Sequence, residues 1–227
     1  RISPGNLIMA KKILVTGASG FIATHCILDL LEHDYDVRGT LRNLDRGPEL
    51  KALLSKYHPK ADQVEFVQAT LDDKDCWQNA MEGIDGVFHI ASPVPTIQPK
   101  NPDDIIRPAR NGTLNVLEAA TLAGISRIVL TSSVAAIFGH ISENRQYTAA
   151  DWSDVGDTRL SAYAMSKTIA EQAAWEYAKT HSIALTTINP AMVLGLALEA
   201  DYGSLLETLY KLLQCEVPLL PKLGVSV

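Results

Sequence analysis

The sequence predicts an α/β protein built on a doubly wound parallel sheet. Three observations carry that expectation. Short apolar runs alternate six times with segments of helical period, which requires crossover helices and hence parallel strands. The first run, Ile13 to Val15, is continuously apolar, as a strand buried on both faces is. That run stops at two glycines three apart, Gly17 and Gly20, immediately before a helix.

That first turn must be tight and must leave backbone N–H groups free at the helix start, a placement suited to a phosphate. Gly17 lets the chain turn, and Gly20 removes the side chain that would hold a pyrophosphate away. Ala23 stands in for a third glycine, where close helix–strand packing accepts it. Phe21, Ile22, Cys26, Ile27, Leu30 and Leu31 recur at helical spacing behind the turn. Further on, residues 36–41 read as a second strand, 48–57 as a helix and 64–69 as a third strand. A helix is expected to start near Asp72 or Asp73, and residues 86–91 form a fourth strand. The stretch from Pro93 to Pro108 reads as a loop running into a helix that continues from Gly112 to Ala123. Arg127 to Thr131 is a fifth strand. From Ala135 to Arg159 no period is sustained, so a long irregular loop is expected, of the kind that carries function. Residues 161–181 form a helix and 183–189 a sixth strand, ended by Pro190. Beyond it, one helix around Leu205 to Leu213 and a strand-like end, Gly224 to Val227, cannot close a second domain.

The composition is that of an ordinary globular protein: 227 residues, 47% apolar and 20% charged. A net charge of −6 and the lack of a basic cluster argue against nucleic acid or an anionic membrane as partner. Cys26, Cys76 and Cys215 lie far apart, which suggests neither disulfides nor zinc and fits a reducing cytoplasm. No metal is expected, because the six histidines show no ligand spacing. Neither a membrane span nor a signal peptide is expected. Residues 1–8, before Met9, read as a remnant ahead of the true start.

Tyr163 and Lys167 are four apart on a helix and therefore share a face. A fixed ammonium beside a phenol favours the phenolate and brings the group toward the working range of an acid–base catalyst. Thr131-Ser132-Ser133 closes the fifth strand at the sheet edge where doubly wound sheets place ligands. Spacing alone does not establish the pair, but three features meet at one edge.

These features resemble the extended short-chain dehydrogenases/reductases of the NAD-dependent epimerase/dehydratase superfamily. The likeness is greatest to the dihydroflavonol reductase and cinnamoyl-CoA reductase group, which includes microbial ketone and aldehyde reductases. The residues that carry it are Thr16-Gly17-x-x-Gly20-Phe21-Ile22-Ala23, Val37 to Arg42, Val87 to Pro93, Asn111 to Leu117, Thr131 to Ser133, Tyr163-x-x-x-Lys167 with Ala170 to Trp175, and Asn189-Pro190. The resemblance extends over Lys11 to Val227. The resemblance implies a Rossmann fold in which Ser133, Tyr163 and Lys167 are catalytic, Tyr163 as proton donor and Lys167 also as ribose ligand. It implies cofactor contacts from Gly17, Ser19, Gly20, Phe21 and Ile22, from Arg42, from Thr70 and Leu71, and from Ile90, Ala91 and Ser92. Thr131, Pro190, Met192 and Val193 complete that set. Residues 9–190 would form the dinucleotide-binding domain and 191–227 the start of a substrate lobe largely absent from this chain.

Two departures stand out. Family members commonly carry Asp in the A-D-L run after the third strand, and here the run is Ala69-Thr70-Leu71. The flavonoid enzymes carry Asn five residues past the catalytic serine, and here Phe138 stands there, which argues against a hydroxylated flavonoid ring as substrate.

NADP(H) is the expected cofactor, with NAD less favoured. Enzymes that use NAD place a carboxylate at the end of the second strand to hold the ribose hydroxyls. Thr40 stands there instead, and Arg42 offers a planar fork suited to a 2′-phosphate. The implied activity is reduction of a carbonyl on a small molecule. A nucleotide-sugar epimerase or dehydratase and a non-catalytic dinucleotide sensor remain alternatives, and a homodimer is left open.

Overall fold

The computed structural model describes residues 12–93, 99–139, 145–198 and 214. Six strands, β1 (Lys12–Val15), β2 (Asp36–Leu41), β3 (Glu65–Gln68), β4 (Gly86–His89), β5 (Arg127–Thr131) and β6 (Ala184–Ile188), form one sheet. Its order is β3-β2-β1-β4-β5-β6, and every pairing is parallel. The helices between them are α1 (Phe21–Glu32), α2 (Gly47–Leu54), α3 (Cys76–Ala80), α4 (Asp103–Leu122), α5 (Ala135–Phe138) and α6 (Ala162–His181).

Strand alternation divides the core in two. Ile13, Val15 and Val37 pack with apolar residues of α1 and α2, among them Ile27, Leu31, Leu50 and Leu54. Leu14, Val87, Ile128 and Leu130 face the opposite layer, where Trp77, Val116, Leu117, Ala174 and Ala178 close over them. Small residues on α6 let it lie close to α4. Removing this apolar surface from water is the main favourable contribution to the fold. On the outer side, the Arg38 guanidinium donates to the carbonyls of Ala80 and Glu82 and to Glu65, satisfying orphan acceptors at the end of α3.

The six strands expected between Ile13 and Asn189 all form, and their ends shift for identifiable reasons. β4 stops at His89 because the N–H groups of Ile90 and Ala91 turn to the Thr16 hydroxyl instead of a neighbouring strand. α3 starts at Cys76, not near Asp72, since the Asp73 carboxylate accepts from Asp75 N–H and holds a turn there. α2 begins one residue early, behind a 3-10 turn over Leu44–Arg46 capped by Asn43, and stops at Leu54. α4 starts at Asp103, so Pro108 lies inside a helix where a loop was expected. The carbonyl it orphans belongs to Asp104, an exposed residue. The irregular stretch after Ser133 opens with one helical turn, α5, too short for a period to reveal. The helix around Leu205 to Leu213 and the strand-like end lie outside the described residues. Among the described residues, no helix is long and apolar enough to cross a membrane.

Gly39, in the middle of β2, sits beneath the turn after β1. A Cβ there would lie 2.6 Å from Ala18 Cβ and 3.0 Å from the Phe66 ring. The nearer neighbour cannot retreat, since Ala18 is fully buried. Gly39→Ala is therefore expected to destabilise the protein by about 1–3 kcal/mol, as overpacking does, with a lower midpoint in urea denaturation. An unchanged midpoint would show that the turn yields.

Candidate active site

In a parallel sheet of this order, the chain leaves β1 and β4 in opposite directions, and a crevice opens between their C-terminal ends. The strongest set of contacts in the site spans that crevice. Thr16, fully buried at the end of β1, accepts from the backbone N–H of both Ile90 and Ala91, each at 2.9 Å. Its oxygen also lies 2.9 Å from His89 Nδ1. Two accepted bonds occupy both lone pairs, so the hydroxyl proton goes to His89 Nδ1, and the imidazole must be neutral with its proton on Nε2. Burial and the nearby Lys167 ammonium hold His89 in that state, its pKa pushed down to about 3. Neither Thr16 nor His89 stood out in the sequence as a site residue. The signal was their joint position at the ends of two adjacent strands.

This clasp positions the turn. Gly17 has φ +68°, the left-handed region, and a Cβ on it would stand 3.1 Å from Ala91 Cβ. Its N–H donates to the Thr40 hydroxyl at 3.0 Å, and Ala18 N–H donates to the Thr40 carbonyl at 2.9 Å. Thr40 thus supports the turn from below while leaving no carboxylate at the end of β2. Gly20 caps α1 in extended conformation with no side-chain bond, and the first intrahelical bond runs from Thr24 N–H. The N–H groups of Phe21, Ile22 and Ala23 are consequently without helical partners, and the first turn carries no acidic residue. Ser19 lies in the same turn. Such an end favours an anion through both its donors and the helix dipole.

Arg42, one residue beyond β2, is exposed, and its guanidinium forms no ion pair or hydrogen bond among the described residues, with Asp45 or any other. Thr70 and Leu71 follow β3 at the same edge. Thr70 N–H donates to Cys76 Sγ, and the Leu71 carbonyl accepts from Asn115 Nδ2 at 2.8 Å. Asn115 belongs to the Asn111 to Leu117 run but was not among the expected site residues. Past β6, the Pro190 carbonyl accepts from Val134 N–H, and His25 Nε2 meets the Leu196 carbonyl. The segment carrying Met192 and Val193 therefore returns across α1. Ile90, Ala91 and Ser92 border the same crevice from β4, as Thr131 does from β5.

Ser133 lies just past β5 and is buried. Its Oγ accepts from Ala135 N–H at 3.1 Å, which leaves its own proton free to donate. α5 is held by Ser153, whose hydroxyl donates to the Ala135 carbonyl at 2.7 Å and accepts from Gly139 N–H. Ser161 caps α6 by accepting from Ala164 N–H, so the helix starts where Tyr163 and Lys167 project to one side. Lys167 Nζ stands 5.9 Å from the centre of the half-buried Tyr163 ring. Burial pushes the lysine pKa down to about 8, against the opposing pull of Glu171. All three residues predicted as catalytic thus come to one edge of the sheet, and the residues expected to contact a cofactor lie at the ends of β1 to β6 or on the connections that follow them. No cluster of three metal-ligating side chains occurs among the described residues.

The chain is 38% identical over 194 residues to the bifunctional dihydroflavonol 4-reductase/flavanone 4-reductase of Malus domestica, an alignment covering 82% of this chain and 55% of that protein. It is 36% identical over 209 residues to cinnamoyl-CoA reductase 1 of Arabidopsis thaliana, covering 89% of this chain and 58% of the relative. The chain therefore spans little more than half the length of these curated relatives. Among solved structures, yeast methylglyoxal/isovaleraldehyde reductase complexed with NADPH superimposes with a TM-score of 0.77 at 27% identity, covering 95% of this chain and 68% of that one. Residues 13–214 match the model of the NAD dependent epimerase/dehydratase family. Matched by that model over most of its length and more than a third identical to these relatives, the chain belongs to the NAD dependent epimerase/dehydratase family.

Proposed function

We propose that this chain is the dinucleotide-binding part of an NADP(H)-dependent reductase that converts a ketone or aldehyde on a small molecule to an alcohol. The observation that carries the reading is the buried Lys167 ammonium beside Tyr163, on a helix face turned to the ligand edge of the sheet. Residues 9–190 form the binding domain, and 191–227 begin the substrate lobe. The relatives named as reductases, and the yeast reductase described in complex with NADPH, support the same class.

The residues present fit the cofactor. Unpartnered N–H groups at the start of α1 suit its pyrophosphate, and Arg42 suits a 2′-phosphate. The absence of a carboxylate at Thr40 removes the repulsion that such a phosphate would meet, and favours this reading over an epimerase that retains NAD. The nicotinamide, when bound, supplies hydride to the carbonyl carbon. As negative charge grows on the carbonyl oxygen, Tyr163 gives it a proton and the free Ser133 hydroxyl donates a hydrogen bond to the same atom. Lys167 holds a ribose hydroxyl, and its positive charge favours the phenolate left on Tyr163. The clasp at Thr16 keeps the two sides of the crevice in register while this happens.

Three outcomes test this proposal in the full-length protein. Tyr163→Phe should retain NADPH binding and lose turnover by roughly 10²–10⁴, the usual worth of a positioned general acid; near-normal turnover would remove Tyr163 from the mechanism. Arg42→Ala should weaken kcat/KM by about 2–3 kcal/mol with NADPH and little with NADH. Equal losses with both cofactors, or a native preference for NADH, would refute the role of Arg42. Lys167 is charged below about 8 and neutral above it. Turnover should therefore fall as pH rises through that value, and a kcat profile that stays flat to strongly alkaline pH would count against the ammonium.

A further inference from the structure

Glu171 stands one helical turn beyond Lys167 and two beyond Tyr163, in line along α6. It is only 5% exposed, so its carboxylate is held away from water. A buried carboxylate is costly unless hydrogen-bonded, and this one accepts two bonds. Trp175 Nε1 donates to Oε1 at 3.3 Å, and Asn189 Nδ2 donates to Oε2 at 2.8 Å. The same Nδ2 donates its other proton to the Ser133 carbonyl at 3.2 Å. That carbonyl also accepts from Ala136 N–H at 2.9 Å, so both of its lone pairs are engaged.

One carboxylate therefore reaches two catalytic residues by different means. The Asn189 amide can donate to both partners only while Glu171 Oε2 fixes its plane, and the Ser133 backbone is held in turn. Toward Lys167 the effect is electrostatic. We propose that Glu171 is a positioning residue of this site, aligning Ser133 through Asn189 and setting one negative charge a helical turn below Lys167.

The inference rests on the reductase reading for its kinetic consequences and stands apart from it in its electrostatic ones. The titratable groups bearing on Lys167 are Tyr163 and Glu171 from α6 and His89 from β4. His89 is neutral, which leaves Glu171 as the charged neighbour whose field counts. Its negative charge favours the ammonium against burial.

The test uses the full-length protein with lysine labelled at the ε-carbon, so that NMR follows the titration of Lys167, and with NADPH-dependent turnover measured in parallel. Glu171→Gln should move the Lys167 midpoint down by about one pH unit and lower kcat about tenfold, the scale of one charge-assisted hydrogen bond, with KM little changed. Asn189→Leu should lower kcat to a similar degree while leaving the Lys167 midpoint in place. Trp175→Phe, which removes only the other bond to the carboxylate, should leave both readouts near native. If Glu171→Gln fails to fold, Glu171→Asp retains the charge on a shorter arm and should keep the lysine midpoint near native while lowering kcat. Equal losses in all the variants, tracking a lower melting temperature, would reduce Glu171 to a structural residue and overturn the proposal. An unmoved lysine midpoint in Glu171→Gln would overturn it as well. Should the native protein reduce no carbonyl at all, the reductase reading falls, and the lysine titration still decides the role of Glu171.

Discussion

The hydroxyl of Thr16 is the contact on which the rest of the site depends. Between β1 and β4 the connections diverge, and no strand pairing continues beyond His89 to hold the two ends together. One side chain closes that gap. By accepting from two half-buried backbone N–H groups and donating to a neutral, fully buried imidazole, it satisfies three polar groups at once. The close approach of Gly17 to Ala91 follows from this clasp, as does the direction of the N–H groups that open α1.

A second consequence is electrostatic. This edge of the sheet contains a helix end that favours an anion, the exposed guanidinium of Arg42 and the buried ammonium of Lys167, within a chain whose net charge is −6. The positive character is local and arises from placement. His89 contributes by remaining neutral: a second cation beside Lys167 would lower the lysine pKa further. Glu171 opposes the effect of burial on Lys167 from the next turn of α6, so the lysine lies between a neutral imidazole and a hydrogen-bonded carboxylate.

Ser133, the candidate catalytic serine, is held beside an element with little stability of its own. α5 is a single turn, and it persists because Ser153 bonds to both its ends and because Gly139 packs on Ala164 at the start of α6. Ser133, immediately before that turn, is therefore only as well placed as the loop that returns to it and the Asn189 amide that holds its carbonyl.

Much of this was legible in the chain alone. The apolar run of Ile13 to Val15, the Gly17 and Gly20 spacing, the alternation of strand and helix and the four-residue pairing of Tyr163 with Lys167 are local patterns, and they determined the fold class, the strands and the candidate site residues. The contacts that join distant segments were decided only in the tertiary structure. Thr16 meets Ile90 and Ala91 from more than seventy residues away, and Glu171 meets Asn189 across eighteen. Thr40 illustrates the difference. Its sequence position marked a missing carboxylate, but only folding shows the hydroxyl supporting Gly17. Pro108 inside α4 and the turn of α5 were hidden for a related reason: tertiary packing, and for α5 the bonds from Ser153, outweighed local preference, and neither leaves a period in the sequence.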